Sequence, residues 1–247
     1  MTSASSATRP TALITGAARR IGRAIALDLA EHGWNIALHY RKSADDAERL
    51  ISEIEALGAK AASFDADLAD FNALELLLAR VAAKLGAATC LVNNASEFQR
   101  DSVQSVDQDV WDTHLDVNLK APVFLAQAMV GHLPDGADGN IINIIDQRVW
   151  KLTPDFFSYT ISKAGLWTAT QTLAQGLAPR VRVNAIGPGP VLRSVHQSAD
   201  EFAAETLSTL LKTGPTPQEI AAAVRFILSS PSMTGQMIAL DGGQHLM

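Results

Sequence analysis

Short apolar runs of strand length alternate with amphipathic stretches of helical length from one end of the chain to the other. Nothing else in the 247 residues constrains the fold as strongly. The runs are Ala12–Thr15, Asn35–His39, Ala61–Asp65, Cys90–Asn93, Asn140–Ile145, Val181–Ile186 and Met237–Leu240. Several are continuously apolar, as suits strands covered on both faces. Between them, stretches such as Ile21–Glu31 and Leu74–Leu85 carry an apolar stripe at helical spacing. This alternation predicts an α/β fold, a doubly wound parallel sheet of about seven strands with helices on both faces.

No repeat, low-complexity block or linker interrupts the pattern, so residues 11–247 read as one domain. Residues 190–217 form a Pro-bracketed insertion with a helical piece at Asp200–Leu211, suited to a lid. Residues 1–10 are small and polar, lack the apolar core of a signal peptide, and read as a flexible tail. A net charge of −6 argues against a nucleic-acid partner. Cys90 is the one cysteine, which excludes an internal disulfide and a multi-cysteine metal site, and no metal is expected. No apolar run approaches the ~18 to 20 residues that span a bilayer. A cytoplasmic protein with a small-molecule substrate is the expectation.

The first strand leads into Thr15-Gly16-Ala17-Ala18-Arg19-Arg20-Ile21-Gly22, and a helix follows. Gly16 permits a tight turn, small neighbours let backbone approach a diphosphate, and the helix start presents free N–H groups. A Rossmann-type dinucleotide site has this context, although an ordinary strand-to-helix turn does too. The second strand ends in His39-Tyr40-Arg41-Lys42-Ser43 and offers cations where an NAD site places a carboxylate. Guanidinium groups grip a phosphate, so the expected cofactor is NADPH/NADP+; a solvated basic loop is the alternative. Asp67 and Leu68 follow the third strand, and Asn93-Asn94-Ala95 closes the fourth. Both lie where such sheets bind ligands, and both read equally as turn formers.

Tyr159 and Lys163 are four residues apart on a predicted helix and share one face. An ammonium beside a phenol lowers its pKa and eases proton exchange. Without context, the pair reads equally as solvated. Asp146 ends a strand thirteen residues before Tyr159, and Asn118 lies inside the amphipathic stretch Trp111–Met129, where it could open a kink. Each could be a plain surface residue.

Together these residues resemble the short-chain dehydrogenase/reductase family over nearly the whole chain. The matching points are the Thr15–Gly22 turn, Asp67, Asn93-Asn94-Ala95, Asn118, Tyr159 and Lys163, Asn184 with Gly187-Pro188-Gly189, and Asp241-Gly242-Gly243. The resemblance implies catalytic roles for Asn118, Tyr159 and Lys163. It implies cofactor contacts from Gly16, Arg20, Ile21, His39, Tyr40, Arg41, Ser43, Asp67, Leu68, Asn93, Ala95, Lys163, Gly187 and Pro188. It also implies a homotetramer.

Two departures are more telling. Arg20 replaces the middle turn glycine, and Asp146 replaces the catalytic serine. With Asn94-Ala95-Ser96-Glu97-Phe98, these resemble the pteridine reductase branch, which includes dihydromonapterin and alternative dihydrofolate reductases. That branch implies Phe98, Ser96 and Arg20 as substrate contacts, with Phe98 stacked on a pterin, and Trp150 could edge the pocket. The expected function is hydride transfer to a C=N bond of a dihydropterin or dihydrofolate, with Tyr159, Lys163 and Asp146 handling the proton. A 3-oxoacyl-type ketoreductase and a non-catalytic NADPH-binding sensor are the alternatives.

Overall fold

A computed structural model describes residues 9–247, so most of the expected tail, residues 1–8, lies outside the described residues. Its last two residues are tied to the sheet. Asn35 donates from its backbone to the Pro10 carbonyl at 2.8 Å and from its side chain to Arg9 at 3.2 Å.

Seven strands form one parallel sheet: β1 (Thr11–Ile14), β2 (Asn35–Tyr40), β3 (Ala61–Asp65), β4 (Ala88–Asn93), β5 (Gly139–Ile144), β6 (Val181–Pro188) and β7 (Met237–Leu240). Their order is β3-β2-β1-β4-β5-β6-β7. The chain reverses direction across the sheet at β1, where Ile14 registers with Leu38 of β2 on one side and Val92 of β4 on the other. Ligands of doubly wound sheets bind at the carboxyl ends beside such a switch point.

Alternation along β1 divides the core. Ala12 and Ile14 face α1 (Arg20–Glu31), α2 (Ala44–Ala56) and α8 (Pro217–Leu228), joining Ile25, Leu29, Leu50 and Ile220. Leu13 faces α3 (Phe71–Leu85), α5 (Ala121–His132) and α6 (Phe157–Leu177), joining Leu77, Val81 and Leu125.

Local chemistry moves three expected boundaries. The helix expected at Leu74 begins at Phe71, because the Asp70 carboxylate accepts from the Asn72 amide. The stretch expected from Trp111 starts at Gln108 and has the kink expected at Asn118: α4 (Gln108–Leu115) passes into α5 through a π-helical turn at Asp116–Lys120, which carries Asn118. The insertion helix α7 (Ala199–Ser208) starts on a Ser198/Glu201 capping box and stops before Leu211. It stops because the Thr209 hydroxyl turns back to the carbonyls of Thr206 and Thr213. The insertion's two ends meet where Gly214 packs on the Pro190 carbonyl so closely that no Cβ would fit.

Candidate active site

The turn between β1 and α1 is held from three sides. Asn94 donates from its side chain to the carbonyls of Thr15 and Gly16 at 2.9 and 3.2 Å. The Thr15 hydroxyl accepts from the amides of Asn94 and Ala95 at 2.9 and 3.0 Å. Beneath the turn, His39 Nδ1 accepts from the Gly16 amide at 3.1 Å, and its Nε2 donates to the Ala66 carbonyl at 3.1 Å. The Gly16 contact fixes the tautomer, and burial pushes the His39 pKa down to about 4, so the ring is neutral. A Cβ on Gly22 would overlap the Gly16 carbonyl and the Asn94 amide, so this face of the turn stays flat backbone.

Arg20 adopts a left-handed φ of 55° where the family has a glycine. That conformation costs an L-residue about 1 kcal/mol. Its guanidinium donates to the Leu192 and Arg193 carbonyls, both at 2.9 Å, so the turn is tied to the insertion. At the end of β2, Arg41 pairs with Glu97 at 2.7 Å, and Arg19 and Arg49 both pair with Asp46. Arg19 therefore belongs to the cationic corner that sequence reasoning assigned to Arg41, Lys42 and Arg20.

At the carboxyl end of β5, Asp146 is half-buried. Its Oδ1 accepts from the Arg148 amide at 2.8 Å and its Oδ2 from the Tyr159 hydroxyl at 3.0 Å. Lys163, buried on the same face of α6, lies 5.7 Å from the Tyr159 ring centre and donates to the Ile144 carbonyl at 2.9 Å. Burial lowers its pKa to about 8, opposed by the Asp146 charge. The phenol departs from expectation. Burial, then the Asp146 charge and hydrogen bond, hold Tyr159 well above the usual tyrosine range, because Lys163 is turned to a carbonyl and Asp146 receives the hydroxyl. Burial also raises the Asp146 carboxyl, against the pull of its hydrogen bonds and nearby cations.

Asn118 is fully buried. Its side chain accepts from the Ser96 hydroxyl at 3.1 Å and the Glu97 amide at 2.9 Å, and donates to the Glu97 carbonyl and the Ser162 hydroxyl. It binds the loop after β4 to α6. Phe98, on that loop, stacks on Phe156 at 4.5 Å and meets Tyr159 edge-on at 4.8 Å. Phe156 has a left-handed φ of 56° and carries the Arg148 guanidinium over its ring at 5.0 Å.

The remaining expected residues take the following places. His39 has both ring nitrogens engaged in protein contacts and supports the turn from below. Trp150 packs edge-on against His245 at 5.2 Å and Trp167 at 6.3 Å, in an aromatic group that excludes Phe98. Asn93 is buried and donates to Asn143 at 2.8 Å, with its side-chain oxygen unpartnered. Gly187 and Pro188 are buried in β6, which pairs with Ala239 and Leu240. Ile21, Tyr40 and Ser43 are half-buried around the turn, Asp67 is exposed and caps the Ala69 amide, and Leu68 is buried. Asp101, Ser158 and His114, which sequence reasoning missed, form a buried hydrogen-bonded group behind Tyr159.

A model of the enoyl-(acyl carrier protein) reductase family matches residues 16–245, the span that carries Arg20, Asn118, Asp146, Tyr159 and Lys163. The chain belongs to the short-chain dehydrogenase/reductase family. Members of that family are oxidoreductases, and this chain is an enzyme of that class. It is 32% identical over 240 residues to the 3-oxoacyl-[acyl-carrier-protein] reductase FabG of Staphylococcus epidermidis, covering 95% of this chain and 98% of that one. Among solved structures, it resembles the FolM alternative dihydrofolate reductase 1 of Brucella suis, crystallised with NADP. That match has 48% identity, 96% coverage of each chain and a TM-score of 0.94. The Brucella canis protein, also with NADP, gives 47% identity, 96% and 95% coverage and a TM-score of 0.91.

Proposed function

We propose that this enzyme is an NADPH-dependent reductase that adds hydride to a ring C=N bond of a dihydropterin or dihydrofolate-type substrate. One observation carries the reading. A carboxyl group, Asp146, receives the Tyr159 hydroxyl where the family's ketoreductases place serine. The two FolM relatives, at 48% and 47% identity, support it.

The residues present suit NADPH. The absence of a side chain at Gly22 lets α1 pack directly on the Gly16–Ala17 turn that would face the diphosphate, and cations gather at the end of β2. Arg19, Arg20 and Arg41 would hold phosphate, and Lys163 has ammonium hydrogens to spare for ribose hydroxyls after its bond to Ile144. When bound, the cofactor supplies the hydride. The chain supplies the proton. Tyr159 stays protonated because its pKa is high, so it serves as an acid. With Asp146 protonated, its Oδ2–H would donate to the phenolic oxygen along the 3.0 Å contact as the Tyr159 hydroxyl gives its proton to the substrate nitrogen, leaving a neutral phenol and a carboxylate. Burial raises the Asp146 pKa, the direction that favours the protonated carboxyl this step needs, and a proton from solvent restores it. Phe98, backed by Phe156, forms the wall for a flat ring.

A ketoreductase reading draws on the 32% identity to FabG across 95% of the chain. One assay separates the two: NADPH oxidation by the purified protein with dihydrobiopterin, dihydrofolate and a panel of ketones including a 3-oxoacyl thioester. Turnover of the reduced pterins is expected. Turnover of ketones alone overturns the pterin assignment.

A further inference from the structure

The 21-residue helix α6 carries Tyr159 and Lys163, yet it has no cap of its own. Its first flanking residue, Phe156, is left-handed and makes no side-chain cap. Asp101, from the loop after β4, serves instead. Its carbonyl accepts from the Phe156 amide at 3.0 Å, and its carboxylate accepts from the Ser158 amide and the Ser158 hydroxyl. The start of the catalytic helix is therefore defined by the loop that bears Phe98.

His114 on α4 joins the same point. Its Nε2 accepts from the Gln99 amide at 3.0 Å, which leaves the hydrogen on Nδ1, 2.6 Å from the Ser158 oxygen. Each hydrogen has one direction: His114 donates to Ser158, and Ser158 donates to Asp101. All three side chains are buried, and their hydrogen bonds run among themselves and to the Gln99 and Ser158 amides. Ser158 directly precedes Tyr159, and Gln99 directly follows Phe98.

We propose that Asp101, Ser158 and His114 are positioning residues, a buried clamp that sets the gap between the Phe98 wall and the Tyr159 hydroxyl and so governs the grip on a flat substrate. The inference rests on the reading of Tyr159 as proton donor and Phe98 as substrate wall. The cofactor turn lies outside the clamp, so substrate capture and cofactor affinity should separate.

The test uses the full chain and three variants: Ser158→Ala, Ser158→Thr and Asp101→Asn. NADPH affinity, steady-state kinetics with dihydrobiopterin and amide exchange at Gln99 are measured together. Misplacement of a substrate wall by about 1 Å costs up to about a hundredfold in efficiency. Ser158→Ala should raise KM about tenfold or more, leave NADPH affinity within about twofold and speed Gln99 exchange. Ser158→Thr, which keeps the hydroxyl, should restore KM. Should Ser158→Ala fail to fold, Asp101→Asn, which keeps the shape of the cap, is judged by the same split. A folded Ser158→Ala or Asp101→Asn variant with unchanged KM, or one that loses NADPH affinity in the same proportion, overturns the clamp. If the wild type ignores dihydropterins and reduces a ketone, the pterin reading fails, and the same split measured with that ketone still decides the clamp.

Discussion

The Tyr159 hydroxyl donates to Asp146 Oδ2 at 3.0 Å, while the other oxygen of the same carboxyl is held by the Arg148 amide. A serine at this place would offer one weak donor and no proton reserve. A carboxyl fixed by one oxygen keeps the other aimed at the phenol and can both receive and return a proton.

Replacing Asp146 by serine should therefore divide the substrates. Dihydropterin turnover is expected to fall by about 10²-fold or more, the scale of a lost general acid, while NADPH affinity stays within about twofold. Ketone turnover should fall less or rise. Steady-state kinetics on both substrate types, beside an NADPH titration, reads the outcome. Undiminished dihydropterin turnover in the variant removes Asp146 from the mechanism.

His39 makes stability depend on pH. Its folded pKa is about 4 against an ordinary 6.5, so the unfolded chain binds the extra proton first. The stabilisation is complete above about 6.5 and is lost as pH falls toward 4, by about 3 kcal/mol over that window. Denaturant unfolding at pH 7, 5.5 and 4.5 should follow this slope, and His39→Gln should flatten it. An unchanged slope in the variant would show that other groups carry the acid sensitivity.

Much of this was legible in the sequence, and what was not has a common cause. The strand runs and the Tyr159/Lys163 spacing are local patterns, and the sheet and the shared helix face came directly from them. The direction of the Tyr159 pKa was misread, because proximity to a lysine in sequence does not say where the ammonium points; it turns to the Ile144 carbonyl. His39 and Trp150 lie beside ligand-facing positions in sequence, but tertiary packing draws one beneath the turn and the other toward His245. Asp101, Ser158 and His114 come from three separate elements and carry no spacing signal. Only the buried, unpaired polarity of each, had its burial been foreseen, could have pointed to the others.

The Arg41–Glu97 pair predicts an unusual gain. Both partners are partly exposed, so the pair itself is worth at most about 1 kcal/mol. Glu97→Gln frees the guanidinium and should tighten NADPH binding about two- to fivefold with little effect on NADH. Arg41→Ala should weaken NADPH binding about tenfold and again spare NADH. Fluorescence titration with both nucleotides checks the pair; equal effects on NADPH and NADH would remove Arg41 from phosphate recognition.

Gly22→Ala should abolish the turn's flat face. Its Cβ meets backbone at Gly16 and Ala17 as well as the Asn94 side chain, which is itself pinned to the turn. A loss of about 2 kcal/mol or more in stability, with a larger loss in nucleotide affinity, is expected from calorimetry and titration. A variant with wild-type melting and wild-type affinity would contradict this packing.

The contact of Gly214 with the Pro190 carbonyl has a consequence for how such an enzyme diversifies. The insertion leaves the scaffold and returns to it at nearly one point. Residues 191–213 also hold the Arg20 guanidinium at Leu192 and Arg193 and bond Gly242 through Leu211, so an exchange has to keep those contacts; each doubling of the segment's length adds only about 0.6 kcal/mol of closure entropy. Exchange of this segment between relatives should then leave Tyr159, Lys163 and Asp146 in place, and kinetics of such a chimaera on two substrates checks whether substrate range follows the segment.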